Sequence, residues 1–180
     1  FLTNIDNLLR TAPDQYSSLS GRDLIKKKVK RLVSMAGIFP SGREFNVYAD
    51  AQAAQAVFNN WPTPVIFSGF EIGLKIRTGI PLINNEAITA SPIKDVFRIS
   101  IPLDQEDSLG RMSWDETAVL TGILGPATYY TLHEGAMVVN NDGSNSWNDK
   151  LKKQQSYLVE KAPYEEVQTL INNLMMHQPK

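Results

Sequence analysis

The chain has 180 residues and a mass of 20.1 kDa, the size of one ordinary domain. Its 18 Lys and Arg residues against 19 Asp and Glu residues leave a formal net charge of −1, which gives no support to nucleic-acid binding. Cysteine is absent, which excludes disulfides, thiolate zinc sites and a cysteine nucleophile. No long apolar run and no signal-peptide pattern occur, so we expect a soluble protein without membrane contacts, in the cytoplasm, the periplasm or outside the cell.

The first thirty residues predict two helices. Thr3 can cap the first helix, with Asp6 at the capping-box position. Ser20 and Asp23 indicate the start of a second helix, which leads into a basic run at residues 26–31. A basic run of this kind is typical of a solvated helix face, so it does not change the expectation drawn from the net charge.

Two short apolar runs predict buried strands on either side of an Ala-rich helix. The first covers residues 32–36 and is closed by Gly37, and the second covers residues 65–68. Asp50 is placed to cap the intervening helix at residues 51–58. A strand–helix–strand order of this kind is typical of an α/β protein.

The second half of the chain predicts three helices and a hairpin. Residues 92–99 are expected to be helical, and Ser113 with Glu116 forms a capping-box pattern for the next helix. Asn-Asp-Gly at residues 141–143 is a hairpin turn signal, and a last helix is predicted from Pro163. No linker is visible, so the chain is interpreted as one α/β unit.

Two groups of polar residues are candidates for a site. Glu44, Phe45 and Asn46 follow the first predicted strand, and ligands of α/β sheets bind outside the carboxyl ends of strands. The simpler alternative is a loop that leads into the next helix. Trp114 and Asp115 begin a predicted helix, where a carboxylate interacts favourably with the helix dipole without any ligand. A metal-binding role for Asp115 is the second interpretation of that pair.

Glu-Phe-Asn-Val-Tyr-Ala-Asp at residues 44–50 resembles the inosine–uridine nucleoside hydrolase family, whose calcium-dependent members cut the N-glycosidic bond of ribonucleosides. Residues 2–4 resemble the Leu-Thr-Asn segment of that family, and residues 33–37 resemble its Met-Gly-Gly strand end. Residues 113–118 resemble the start of its late helix, which carries a metal-binding Asp. The motifs keep the order of the family across residues 2–118.

The resemblance implies a role for each matched residue. The backbone carbonyl of Thr3 and the carboxylate of Asp115 would bind Ca²⁺. Glu44 and Asn46 would hydrogen-bond ribose hydroxyls, and Phe45 would pack against the sugar. The resemblance also implies the fold, an open, mostly parallel Rossmann-like sheet flanked by helices, with the hairpin near the C-terminus.

Trp114 is the residue from which a base preference is expected. Family members with Trp at the matching place prefer purine nucleosides and stack the indole on the base, so the resemblance implies a purine-leaning site. The alternative role for Trp114 is that of an aromatic side chain in the core or in a lid.

The sequence also departs from the family pattern. Ile38 lies near the place of a ribose-binding Asn, and Ala36 replaces the first Gly of the strand end. The Asp-rich loop that holds the catalytic base and most calcium ligands in the family has no match before Thr3. We therefore expect residues 1–180 to be the C-terminal portion of one nucleoside hydrolase-like domain, with the catalytic base upstream of Phe1.

This expectation makes the missing N-terminal half a partner of the chain, beside a nucleoside or related sugar. The fragment alone would be inactive. A non-catalytic nucleoside- or carbohydrate-binding relative of the same fold is the alternative, and a half-domain that pairs with another chain is a third interpretation. Family members are often dimers or tetramers, so a homo-oligomer is a further expectation of the resemblance.

Overall fold

The computed structural model describes residues 1–178 and has a mixed α/β architecture over that range. The strands are β1 (Leu32–Met35), β2 (Ser41–Arg43), β3 (Val65–Ser68), β4 (Arg77–Thr78), β5 (Arg111–Met112), β6 (Tyr130–Val139), β7 (Ser144–Asn148) and β8 (Gln155–Glu160). The α-helices are α1 (Leu2–Arg10), α2 (Gly21–Lys28), α3 (Phe45–Tyr48), α4 (Ala51–Asn60), α5 (Phe70–Leu74), α6 (Ile80–Ile83), α7 (Pro92–Ser100), α8 (Trp114–Leu124) and α9 (Tyr164–Met175).

Within residues 1–178, the main sheet has six strands in the order β1–β3–β8–β6–β7–β2, and β4 and β5 form a separate antiparallel pair. The pairs β1–β3 and β3–β8 are parallel, whereas β8–β6, β6–β7 and β7–β2 are antiparallel. The predicted α/β class is confirmed, but a mostly parallel sheet is not. The physical reason is the long strand β6, which pairs with β8 along its first part and with β7 along its second part.

The predicted hairpin near the C-terminus is confirmed and joins β6 to β7. The amide of Asn140 donates to the carbonyl of Ser144 at 2.8 Å, which closes the turn. Gly143 has a φ of +78°, and a Cβ there would lie 2.4 Å from the Cα of Tyr48. Glycine is therefore required at this position both by the backbone conformation and by the close approach of α3.

The two faces of the parallel strands pack against different helices. Phe67 of β3 belongs to a core cluster with Leu2 of α1 and Phe58 of α4. The neighbouring Ile66 belongs to a second cluster with Leu120 of α8, together with side chains of α5 and α9. Consecutive strand residues point to opposite faces, so this alternation places the sheet between two helical layers. No helix in the described part of the chain has the length and apolar character needed to cross a membrane.

The structure corrects two of the predicted helix caps and confirms those at Ser20 and Asp50. α1 begins at Leu2 rather than behind Thr3, whose hydroxyl instead donates to the carboxylate of Asp50 at 2.6 Å. Asp50 caps α4 as predicted. Ser113 stands at the start of α8 but makes no capping bond, because its hydroxyl pairs with the hydroxyl of Thr78 at 2.6 Å. The capping box predicted there is wrong, since a tertiary contact takes the Ser113 side chain.

We expect Phe67→Ala to lower the free energy of unfolding by about 3–5 kcal/mol, because Phe67 is fully buried between β1 and β8 in the α1–α4 layer. Urea denaturation followed by circular dichroism measures the loss. Tyr16→Ala is the control: Tyr16 is 87% exposed, so its truncation is expected to change stability by no more than about 0.5 kcal/mol. Equal losses for the two variants would contradict the assigned core.

Candidate functional site

A pocket of about 400 Å³ lies beside β1, between that strand and α8. It is lined by Phe1, Arg31, Val33, Ser34, Met35, Asn46, Asp115, Ala118, Val119 and Gly122. Two residues predicted from separate motifs, Asn46 and Asp115, therefore lie at the same pocket. Phe1 brings the start of α1 to its rim.

Asn46 is held in place by the end of β1. Its Nδ2 donates to the carbonyl of Met35 at 3.2 Å and contacts the Sδ atom of the same residue at 3.1 Å. With the amide nitrogen engaged in this way, Oδ1 is the atom of Asn46 that remains for a ligand. An amide oxygen can accept a hydrogen bond from a hydroxyl or bind a hard cation.

Glu44 does not line the pocket and is only 5% exposed. Its carboxylate accepts from the amide of Asn46 at 2.8 Å and from the amide of Gly37 at 3.1 Å. Burial raises the pKa of Glu44, the two amide donors act in the opposite direction, and the negative charge of Asp115 raises it further. Glu44 therefore shapes the turn after β1 and lies within electrostatic range of Asp115.

Phe45 is 64% exposed and packs edge-to-face on Tyr48, with ring centroids 5.4 Å apart. It does not line the pocket. The residues from Phe45 to Tyr48 form one helical turn, α3, where the simpler sequence interpretation expected a loop. The carboxylate of Glu44 caps this turn.

Trp114 packs against α5 rather than lining the pocket. Its ring stacks on Phe70 at a centroid distance of 5.1 Å, and its Nε1 donates to the Phe70 carbonyl at 3.0 Å. A Cβ on Gly73 would lie 2.4 Å from the Cα of Trp114, so the two helices meet closely here. These contacts are those of a structural aromatic residue, the alternative considered for Trp114 from the sequence.

Thr3 lies in the first turn of α1, two positions beyond Phe1, and does not itself line the pocket. Its side chain is directed to Asp50. Its carbonyl belongs to a helix, where such groups accept from the amide four residues later and keep one lone pair free. The structure thus brings Asn46 and Asp115 to one pocket, which neither Glu44 nor Thr3 lines.

The loop after β1 is held by three side chains: Glu44, which precedes α3, Asn145 of β7 and Glu71 of α5. Consecutive amides of Gly37, Ile38 and Phe39 donate to carboxylate or amide oxygens of Glu44, Asn145 and Glu71, respectively. Gly37 has a φ of +82°, which side-chain-bearing residues rarely adopt.

Sequence reasoning missed two of these three supports. Glu71 follows the end of β3, so its position just beyond a predicted buried strand was a usable signal. Asn145 carried no such signal, because it reaches the loop only through the pairing of β7 with β2. Burial raises the pKa of Glu71 above its usual range.

The described residues offer few ligands for a metal ion. Among residues 1–178, no cluster of three or more His, Asp or Glu side chains is arranged to hold one. Asp115 supplies a carboxylate to the pocket and Asn46 an amide oxygen, whereas Ca²⁺ takes about six to eight oxygens. These two groups fit a part of a calcium site.

No protein-family model matches the chain, and no curated protein is significantly similar to it.

We expect opposite pH dependences from neutral substitutions of Glu44 and Asp50. The pKa of Glu44 is raised in the folded state, so its ionisation weakens folding as pH rises through that pKa. The pKa of Asp50 is lowered by the Thr3 hydroxyl and the amide of Ala53, so its ionised form favours folding, and this contribution is lost as pH falls through the folded-state pKa.

Urea unfolding between acidic and neutral pH tests both signs. As the pH rises through the folded-state pKa of Glu44, the stability of Glu44→Gln relative to the wild type should rise. As the pH rises through the folded-state pKa of Asp50, the stability of Asp50→Asn relative to the wild type should fall. The same sign for both variants would contradict the assigned environments.

Proposed function

We propose that the chain is the C-terminal portion of a nucleoside hydrolase-like protein, which cleaves the N-glycosidic bond of ribonucleosides with the help of Ca²⁺. One observation carries the proposal: Asn46 and Asp115, assigned to sugar and calcium from separate motifs, line one pocket beside β1. Two unrelated sequence segments have no local reason to meet there. Glu44, the third member of the set, contacts Asn46 directly.

The residues of the pocket fit the binding of a ribosyl group. The Oδ1 atom of Asn46 can accept a hydroxyl hydrogen. Glu44 does not line the pocket, but its carboxylate beside Asn46 has lone pairs beyond the two that accept backbone amides. Cleavage of an N-glycosidic bond builds positive charge on the sugar. The carboxylate of Asp115 would bind the Ca²⁺ beside that sugar. When bound, Ca²⁺ supplies the acidification of a water molecule and holds it near the sugar.

The purine preference of the proposal rests on Trp114 and on the resemblance alone. Because Phe70 stacks on the indole, a base would contact the part of Trp114 that remains exposed. The finer fold assignment is supported by the parallel strands β1, β3 and β8, which would form one side of an open Rossmann-like sheet.

A non-catalytic relative that binds nucleosides or carbohydrates is the second candidate. Two observations favour it: the described residues hold no metal cluster, and the Glu44 carboxylate already serves the backbone of the loop after β1. Two measurements distinguish the candidates: titration of the chain with inosine, and a ribose-release assay of a longer parent protein. Saturable binding by the chain together with no ribose release by the parent protein would support this second candidate.

The 180-residue chain is expected to release no ribose from inosine above the uncatalysed rate, with or without added CaCl₂. A reducing-sugar assay measures release, and calorimetry should give a calcium dissociation constant above about 1 mM, since only part of a ligand set is present. Clear turnover by the chain would contradict the proposal that the site is incomplete.

In the longer parent protein, Asp115→Ala is expected to lower ribose release by about 100-fold, because a carboxylate that would bind Ca²⁺ is lost. Glu116→Gln is the matched control: it removes the neighbouring carboxylate, which does not line this pocket. Full activity of the Asp115 variant would overturn the hydrolase proposal.

A further inference from the structure

We propose that a second pocket, at the N-terminal ends of β3 and β8, binds a phosphate monoester that carries a compact aromatic body. This pocket has a volume of about 300 Å³ and is called the Arg22 pocket. It is lined by Arg22, Phe58, Asn59, Trp61, Pro62, Thr63, Val65, Lys153, Gln154 and Gln155. It shares no residue with the pocket beside β1, and binding there is independent of the hydrolase proposal.

Two cations meet at the Arg22 pocket without a carboxylate. Arg22 belongs to α2, and Lys153 lies between β7 and β8. Within residues 1–178, Arg22 forms no ion pair, and the ammonium of Lys153 donates only to the neutral Oδ1 atom of Asn59, at 2.7 Å. The carboxylate of Asp23, next to Arg22, instead accepts from the hydroxyl of Ser20 at 2.6 Å. Since no Asp or Glu lines the pocket, its positive charges favour an anion.

The polar atoms that remain free in the Arg22 pocket are mostly donors. Lys153 uses the Oδ1 atom of Asn59, which leaves the Nδ2 hydrogens of Asn59 for a ligand. The Nε1 atom of Trp61 donates to the Oγ1 atom of Thr63 at 2.9 Å, so the Thr63 hydroxyl keeps its own hydrogen to donate. The guanidinium of Arg22 adds a planar fork of N–H groups. A phosphate monoester, with three acceptor oxygens and a charge of about −1.5 to −2, uses more of these donors than a carboxylate can.

The walls of the Arg22 pocket are fixed without a ligand. Gln155 is buried, and its Oε1 atom accepts from the amide of Met137 at 3.0 Å while its Nε2 atom donates to the carbonyl of Phe58. This side chain therefore joins β8 to β6 and to α4. Pro62 and Pro64 restrict the backbone between α4 and β3. A site that is already ordered loses less binding free energy to the ordering of its side chains.

Trp61 supplies a surface for the aromatic body of the ligand. It packs in part against the core cluster of α1 and α4, and it also lines the pocket. Because its N–H group is bonded to Thr63, the rest of the indole offers an apolar stacking surface. The pocket volume lies at the lower end of the range of about 300–1,000 Å³ for ligand sites, which favours a body of one ring.

Phenyl phosphate is the probe for the Arg22 pocket, and phenol and inorganic phosphate represent its two halves. Calorimetric titration of the 180-residue chain should give binding of phenyl phosphate that is tighter by about tenfold or more than that of either half, because each half lacks one contact. Equal affinities of phenol and phenyl phosphate would overturn the anion site. Equal affinities of inorganic and phenyl phosphate would overturn the aromatic contact, and no binding of phenyl phosphate at about 10 mM would overturn both.

Substitutions in and near the Arg22 pocket make the test specific. Arg22→Gln should weaken phenyl phosphate binding by about tenfold, because a charged fork of donors is lost. Thr63→Val should also weaken binding, whereas Thr63→Ser keeps the hydroxyl and should retain it. Lys28→Gln is the matched control, since it removes a cation of the same helix that does not line the pocket. Equal losses for Arg22→Gln and Lys28→Gln would indicate attraction to the charge of α2 alone and would overturn the assigned pocket.

The indole N–H signal of Trp61 locates the probe. The chain has three Trp residues, and the spectrum of a Trp61→Phe variant identifies this signal in a proton–nitrogen correlation spectrum. Phenyl phosphate should shift the signal of Trp61 and leave those of Trp114 and Trp147 unchanged, because neither lines the Arg22 pocket. A shift at Trp114 or Trp147 with the Trp61 signal unmoved would overturn the proposal.

Discussion

The backbone of residues 37–39 is the point on which the site depends. Three consecutive amides there donate to Glu44, Asn145 and Glu71. Buried amides without partners are costly, and these three lie where the chain leaves β1 and no further strand is available. The side chains that accept from these three amides fix the conformation of the turn. The turn then positions the residues that follow it, including Asn46.

This arrangement joins the two halves of the sheet. Asn145 belongs to β7 in the antiparallel half, yet both its amide atoms bond Ile38 in the loop after the parallel strand β1, at 3.1 and 2.8 Å. The mixed topology is therefore part of the site. Burial of Glu44 and Glu71 raises the pKa of each carboxyl, which is the electrostatic cost of using acidic side chains as backbone acceptors.

Local patterns were reliable where the interactions that stabilise an element lie within it. The apolar strands β1 and β3, the Asp50 cap of α4 and the turn before Gly143 all follow from neighbouring residues. Patterns failed where a side chain had a distant partner. The Ser113 hydroxyl pairs with the Thr78 hydroxyl instead of capping α8. Strand β8 was not predicted, and its Gln155 donates to the backbone carbonyl of Phe58.

The sequence by itself determined the α/β class, the buried strands β1 and β3, the start of α4 and the polar residues that could form a site, because these depend on backbone propensity and short-range hydrogen bonds. Only the tertiary structure decided that Asn46 and Asp115 share a pocket, that Trp114 stacks on Phe70, and that β1 has an open edge. Strand order and pairing are set by the burial of side chains far apart in the chain, and such burial leaves no local trace in the pattern of residues.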